Sequence, residues 1–107
     1  MKIPLQLAFE GTEPIEAARN EIERQVERLE KHNRAIIGCR VAVIAPSHKH
    51  RHGTGFQISI WLTIPPHETV IVNHLPSDDP RYEHIEGAVR EAFSAARRQV
   101  DDLARQS

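Results

Sequence analysis

The segment from Phe56 to Ile64 constrains the fold more than any other part of the chain. Apolar residues alternate with more polar ones throughout it. A period of two predicts a β-strand with one buried face and one wetter face. Pro65-Pro66-His67 predicts a turn, and Thr69 to Asn73 predicts a short further strand. A strand with one apolar face needs neighbouring strands and a second layer to cover that face.

Two further strands are predicted nearer the N-terminus. Alternation from Ile3 to Phe9 indicates the first, and Pro4 near its start indicates the edge of a sheet. The β-branched segment from Ile36 to Ala45 indicates the second. Its apolar face is expected to carry Cys39, Val41 and Val43.

Two amphipathic helices are predicted from apolar residues that recur every three or four positions. The first runs from Glu13 to about Asn33, with Thr12 as the N-cap and Pro14 in the first turn. The second has Asp79 as its N-cap and Pro80 at its first helical position, and frays near the C-terminus. The apolar stripe of this last helix consists of Tyr82, Ile85, Val89, Ala92, Phe93, Ala96, Val100 and Leu103.

The resulting order, β-α-β-β-β-α, predicts a two-layer α/β sandwich of the α+β class. The first helix is expected to connect two parallel strands, and the short later loops make the remaining strands antiparallel. The four-stranded mixed sheet would then carry both helices on one face. With 107 residues, no repeat and no long linker, residues 1–107 are predicted to form one domain.

Composition and motifs exclude several function classes. The formal net charge of -1 argues against a protein that coats nucleic acid through bulk charge. No apolar run is long enough to cross a bilayer and no signal peptide is recognisable, so a cytoplasmic location is expected. Cys39, the single cysteine, lies within a predicted strand, where a buried thiol is commoner than a nucleophile. With no phosphate-cradling glycine loop, paired-carboxylate signature or HExxH motif, neither catalysis nor a cofactor is predicted.

The cations are nevertheless sorted onto particular faces of the two helices. At about 100° per residue, bases share the outer side of the first helix, and acids share one flank. On the last helix, Arg90 and Arg97 share one flank and Arg98 and Arg105 the outer side, so all four are expected to face away from the core. Two helices side by side could present phosphates with a groove-like cationic surface. Alternatively, ion pairs at i,i+4 simply solvate a helix surface. The pairs with this spacing are Glu27 with Lys31, Glu30 with Arg34, Glu86 with Arg90 and Asp101 with Arg105. The candidate cations are Arg24, Arg28 and Lys31 on the first helix and Arg90, Arg97 and Arg98 on the last.

The loop from Ser47 to Gly53 is rich in histidine and contributes two more candidate cations, Lys49 and Arg51. Three histidines in an extended loop could bind zinc or another transition metal. The interleaved cations would repel a dication, so a metal site is not predicted. The loop is interpreted either as a phosphate contact or as a solvated hairpin loop. The three histidines are His48, His50 and His52.

Several short segments resemble the ribosome hibernation-promoting and ribosome-associated inhibitor family, also called sigma-54 modulation proteins. They cover nearly the whole chain and are most similar to a branch in which this domain is often followed by a cold-shock domain. Gln25, Glu91 and Ser94 stand where short family members commonly carry lysine or arginine. The similar segments are Ile3-Pro4-Leu5-Gln6, Leu29-Glu30-Lys31-His32, Cys39-Arg40-Val41, His50-Arg51-His52-Gly53, the strand from Phe56 to Pro65, and residues 92–102.

The resemblance implies a non-enzymatic factor that binds the small ribosomal subunit near the decoding centre. There it would sterically exclude messenger and transfer RNA under stress or in stationary phase. Family positions that approach ribosomal RNA phosphates match Arg28, Lys31, Arg97 and Arg98. A cold-shock-domain protein acting in trans is a candidate partner. The alternative is a protein-interaction regulator, for example a modulator of sigma-54, that uses the open sheet face around Trp61 without binding RNA.

Overall fold

The computed structural model describes residues 3–45, 56–65, 67–74 and 84–106. Its element order is the predicted one, and the fold is of the α+β class. The elements are β1 (Leu5–Glu10), α1 (Glu16–His32), β2 (Gly38–Ile44), β3 (Gln57–Ile64), β4 (His67–His74) and α2 (Ile85–Gln106).

The four strands form one mixed sheet in the order β1-β2-β3-β4. Strand β1 pairs with β2 in parallel, as expected for strands joined by a crossover helix. The pairs β2 with β3 and β3 with β4 are antiparallel. The edge position inferred from Pro4 is confirmed, because β1 has a neighbour on one side only.

The register aligns the apolar faces of all four strands. Leu7 lies opposite Val41, Val41 opposite Ile60, and Ile60 opposite Val72, which gives one apolar row across the sheet. Val41, Ile60 and Val72 belong to a single core cluster that also includes buried apolar residues of α1 and α2, and Leu7 packs against this cluster. Both helices therefore pack against the same face of the sheet, and neither of them covers the other face, which we call the open face.

The first helix begins later than the sequence predicts. The residue at its N-cap is Ile15, in an extended conformation and with no side-chain capping bond. The predictions of Thr12 as the cap and of Pro14 in the first turn are therefore wrong. The Thr12 hydroxyl instead donates to the carbonyl of Glu13. Ile15 packs against the core, and this contact keeps the chain extended beyond Pro14 before the helix starts.

The last strand is longer than predicted, since it runs from His67 to His74 rather than from Thr69 to Asn73. The pairing of β3 with β4 shifts in register between Leu62 and Ile64. Because Ile64 pairs with His67, β4 begins almost directly after the turn at Pro65. The predicted start of the last helix at Asp79 and Pro80 lies outside the described residues.

Neither described helix is long and apolar enough to cross a membrane.

Replacing Phe93 by alanine tests the core. Phe93 is among the largest fully buried side chains, and we expect its removal to lower the free energy of unfolding by about 3–5 kcal/mol. Ile37→Ala is the matched control, because Ile37 is 56% exposed and should change stability by no more than about 0.5 kcal/mol. Chemical denaturation measures both. Equal losses in the two variants would contradict this assignment of the core.

Candidate nucleic-acid interface

The polar residues that face each other across α1 and α2 define the candidate interface. Their contacts follow the same order along both helices, so the helices run side by side in the same direction. We call this line of contact the interhelical seam. It joins Glu21 with Arg90, Gln25 with Arg97, and His32 with Asp101.

Glu21 is a buried carboxylate within the seam, with only 4% of its surface exposed. Its Oε1 lies 3.1 Å from Arg24 NH1 in the same helix, and its Oε2 lies 3.5 Å from Arg90 Nε in the other helix. The amide of Gln25 also donates to Oε2, at 2.8 Å. Burying an ionised carboxylate is costly unless donors and opposite charges surround it, and here both helices supply them.

Gln25 extends this network to a third arginine. Its side chain is buried, and its Oε1 accepts a hydrogen bond of 3.1 Å from Arg97 NH1. The sequence predicts that Arg97 faces away from the core like Arg98; the structure shows that Arg97 is half-buried and bonded across the seam. The helical spacing identifies the side of α2 on which Arg97 lies but not its contact with α1.

Arg98 is exposed on the outer side of α2, as predicted. Its NH1 donates to the hydroxyl of Ser94, one turn earlier, at 3.2 Å. Ser94 and Gln25 occupy positions at which the family resemblance suggests a cation. Each is a neutral acceptor that orients an arginine without cancelling its charge.

The other two helical candidates are exposed on α1. Lys31 Nζ lies 3.8 Å from Glu27 Oε1, with both side chains well exposed, so the predicted i,i+4 pair is confirmed and is a weak surface pair. Arg28 lies one turn after Arg24, and none of the contacts within the described part of the chain neutralises it.

Acidic side chains of α1 lie mainly on its other flank. Glu23, Glu27 and Glu30 line a groove that α1 forms with Ile3 and Leu5. The predicted acidic flank of α1 faces this groove, and Arg24 lies at the border of the groove as well. Among the acids of α1, Glu21 is the one that lies in the seam, and α2 contributes Asp101.

At the C-terminal end of α1, His32 Nε2 lies 2.7 Å from Asp101 Oδ1 of α2, and this contact is exposed. Asp101 was expected to pair with Arg105 within α2. Arg105 instead lies 3.9 Å from Asp102. The Asp101 carboxylate therefore links the two helices.

Glu21 is the residue that the sequence analysis missed. The helical spacing nevertheless indicates where Glu21 lies. Glu21 and Gln25 are four residues apart, and both border the apolar stripe of α1. Polar residues at the border of an apolar stripe face a neighbouring element when two helices pack together.

Trp61 lies on the open face of the sheet, where its ring is partly exposed. Arg40, directly opposite on β2, places its guanidinium carbon 4.9 Å from the ring centroid. This is a cation–π contact between neighbouring strands. Ile71, opposite Trp61 on β4, is 50% exposed.

The remaining candidates contribute no observed chemistry. Lys49 and Arg51, with the histidines of their loop, lie outside the described residues. Within the described ranges, no three His, Cys, Asp or Glu side chains form a group that could hold a metal ion. Cys39 is buried in the core, and this burial raises the pKa of its thiol to about 12.

Fold and seam together define a small α+β domain with a cationic helical surface and an open sheet face. A sequence profile of the sigma 54 modulation protein / S30EA ribosomal protein family matches residues 5–107. The chain belongs to this family. No curated protein sequence matches the chain.

Two solved structures share the fold. A ribosomal subunit interface protein from Coxiella burnetii superposes with a TM-score of 0.74 at 15% sequence identity, covering 95% of this chain and 98% of the other. The N-terminal domain of Protein Y from Thermus thermophilus has a TM-score of 0.64 at 17% identity, covering 96% of this chain and 99% of the other. At such low identity, the likeness shows the fold.

The high pKa of the Cys39 thiol has a direct chemical consequence. Because only the thiolate reacts readily, and a group with a pKa of about 12 is ionised to roughly one part in ten thousand at pH 8, we expect negligible labelling of the folded protein. Labelling should reach one equivalent after unfolding in denaturant. Mass spectrometry with a maleimide measures both states. Rapid labelling of the folded protein would contradict the burial of Cys39.

Proposed function

We propose that this protein is a non-catalytic, ribosome-associated translation inhibitor that binds the small ribosomal subunit through the α1–α2 surface. The observation that carries the proposal is the set of six cations on two adjacent helices: Arg24, Arg28, Lys31, Arg90, Arg97 and Arg98. Membership of the sigma 54 modulation protein / S30EA ribosomal protein family supports a ribosomal partner.

The local charge favours a polyanion although the whole chain has a formal net charge of -1. Two acidic side chains of α1, Glu21 and Glu27, form ion pairs with these cations, and Asp101 of α2 contacts His32 instead. The two arginines bonded to neutral acceptors, Arg97 and Arg98, keep their full charge. A local surplus of positive charge governs contact with phosphates, because salt screens charges more than about 10 Å away at ordinary ionic strength.

The proposed mechanism is steric occupation near the decoding centre. The domain would occupy the space that messenger and transfer RNA require, with phosphate contacts that hold it in place and no covalent chemistry. Such binding is reversible and depends on salt, which suits a factor that silences ribosomes during stress or stationary phase. The basic loop with Lys49 and Arg51 would add contacts, and a cold-shock-domain protein remains a candidate partner in trans.

The open sheet face carries the second candidate function, docking of a protein such as a transcription regulator. Trp61 and the half-exposed Ile71 lie side by side there and offer an apolar contact. Treating a pull-down with RNase separates the two candidates. If the protein binds RNA, we expect RNase to release the ribosomal components from the pull-down. A partner protein that stays bound after RNase treatment would favour docking on the open sheet face.

The salt dependence of binding tests the proposed interface. If about five phosphates are neutralised, the logarithm of the association constant should fall with the logarithm of salt concentration with a slope near −4. Binding of purified small subunits across a salt series measures this slope. A slope near zero would show that these cations do not contact RNA.

Arg98→Gln should reduce the magnitude of that slope by about 1, because it removes one phosphate contact from an exposed side chain. Arg19→Gln is the matched control. This substitution makes the same change in charge. Arg19 is exposed on α1, but it lies about 140° around the helix from Arg24. We expect Arg19→Gln to leave the slope unchanged. Equal effects of both substitutions would indicate a response to net charge alone.

A further inference from the structure

The buried carboxylate of Glu21 lies within a surface that is proposed to bind phosphates, and its negative charge does not explain why it is there. A surface that binds phosphates gains nothing electrostatically from an anion at its centre. Glu21 nevertheless lies in the seam and contacts Arg24 and Arg90, each of which contributes to the proposed interface. Its contribution must therefore be geometric or structural.

The contacts show how Glu21 affects the arginines. One carboxylate holds Arg24 from α1 and Arg90 from α2, with both nitrogen-to-oxygen distances at or below 3.5 Å. Through the amide of Gln25, the same carboxylate is connected to Arg97. Three guanidinium charges against one carboxylate charge leave a net charge of +2 in this network.

The two arginines remain available while Glu21 holds them. The side chain of Arg24 is 61% exposed and that of Arg90 is 58% exposed, whereas Glu21 is buried beneath them. A guanidinium has five N–H donors in a planar fork, so it can bond the carboxylate and still present other donors to solvent. The network thus has a buried anionic base and an exposed surface of donors.

We propose that Glu21 is a positioning residue that fixes Arg24 and Arg90 side by side, so that both guanidiniums bind phosphate groups of RNA across the interhelical seam. This inference rests on the proposed function and adds the device that orders the interface. Free arginine side chains lose conformational entropy when they bind, and this cost falls when they are already held in place.

The substitution Glu21→Gln separates positioning from charge because the two effects have opposite signs. It raises the net charge by one unit, so electrostatics alone would tighten RNA binding. If Glu21 positions the arginines, binding of small subunits should instead weaken about three- to tenfold, since both side chains must be ordered on binding. Glutamine has nearly the same shape and can still accept a hydrogen bond.

Glu23→Gln is the matched control. It makes the same change in charge on the same helix, but Glu23 is exposed on the flank toward β1. We expect its binding to be unchanged or at most about twofold tighter. If Glu21→Gln binds as tightly as Glu23→Gln while the wild type binds small subunits normally, the inference is overturned and the proposed function stands. If the wild type does not bind, both fail.

A double-mutant cycle distinguishes positioning from a purely structural role. In a protein that already carries Arg24→Gln and Arg90→Gln, the further change Glu21→Gln should no longer weaken binding, because the side chains through which it acts are gone. An equal loss in that background would show that Glu21 supports the fold instead.

A second pair of variants applies if Glu21→Gln does not fold. Arg24→Lys with Arg90→Lys keeps every charge and alters only exposed side chains. An ammonium lacks the planar fork, so we expect binding to weaken severalfold at unchanged melting temperature. Arg19→Lys with Arg34→Lys, two exposed arginines outside the network, should have no effect. Equal binding of both double variants would overturn the inference.

Discussion

Burial of the Glu21 carboxylate between two helices is the constraint on which the proposed interface depends. A buried anion requires donors, and it finds them in Arg24 of its own helix, in Arg90 of the neighbouring helix and in Gln25. The helices must therefore keep one relative position for the carboxylate to be satisfied. The apolar core brings α1 and α2 onto one face of the sheet, and the polar seam aligns them with each other.

The same seam explains how a slightly acidic protein can present a cationic surface. Three acids of α1 line the groove toward β1, while Arg90 and Arg97 of α2 contact α1 across the seam. Where the cations need partners, two of them use the neutral side chains of Gln25 and Ser94. Neutral acceptors order an arginine at no loss of charge, whereas acidic partners would cancel the potential that attracts phosphates.

Most of the fold could be predicted from the sequence because it depends on local periodicity. The alternation in β3 and the apolar stripe of α2 identify the elements and their buried faces, and the order of elements leaves few topologies. Helix boundaries were harder to predict. The cap expected at Thr12 was wrong because Ile15 packs into the core and delays the helix. A tertiary contact decided that boundary, and no local pattern records it.

The candidate site was only partly predictable. Helical spacing placed the cations on the correct sides, yet it could not reveal that Arg97 bonds to Gln25, because these residues are 72 positions apart in the chain. Gln25 was interpreted as the absence of a cation, and Glu21 was not considered. Both residues acquire their roles only when the sheet brings the two helices together.

The most direct test of the central claim is a cryo-electron microscopy structure of the protein bound to purified small ribosomal subunits. We expect α1 and α2 to face ribosomal RNA, with Arg24 and Arg90 at phosphate groups and Glu21 still buried behind them. A complex in which the open sheet face around Trp61 contacts the subunit, with the interhelical seam turned to solvent, would contradict it.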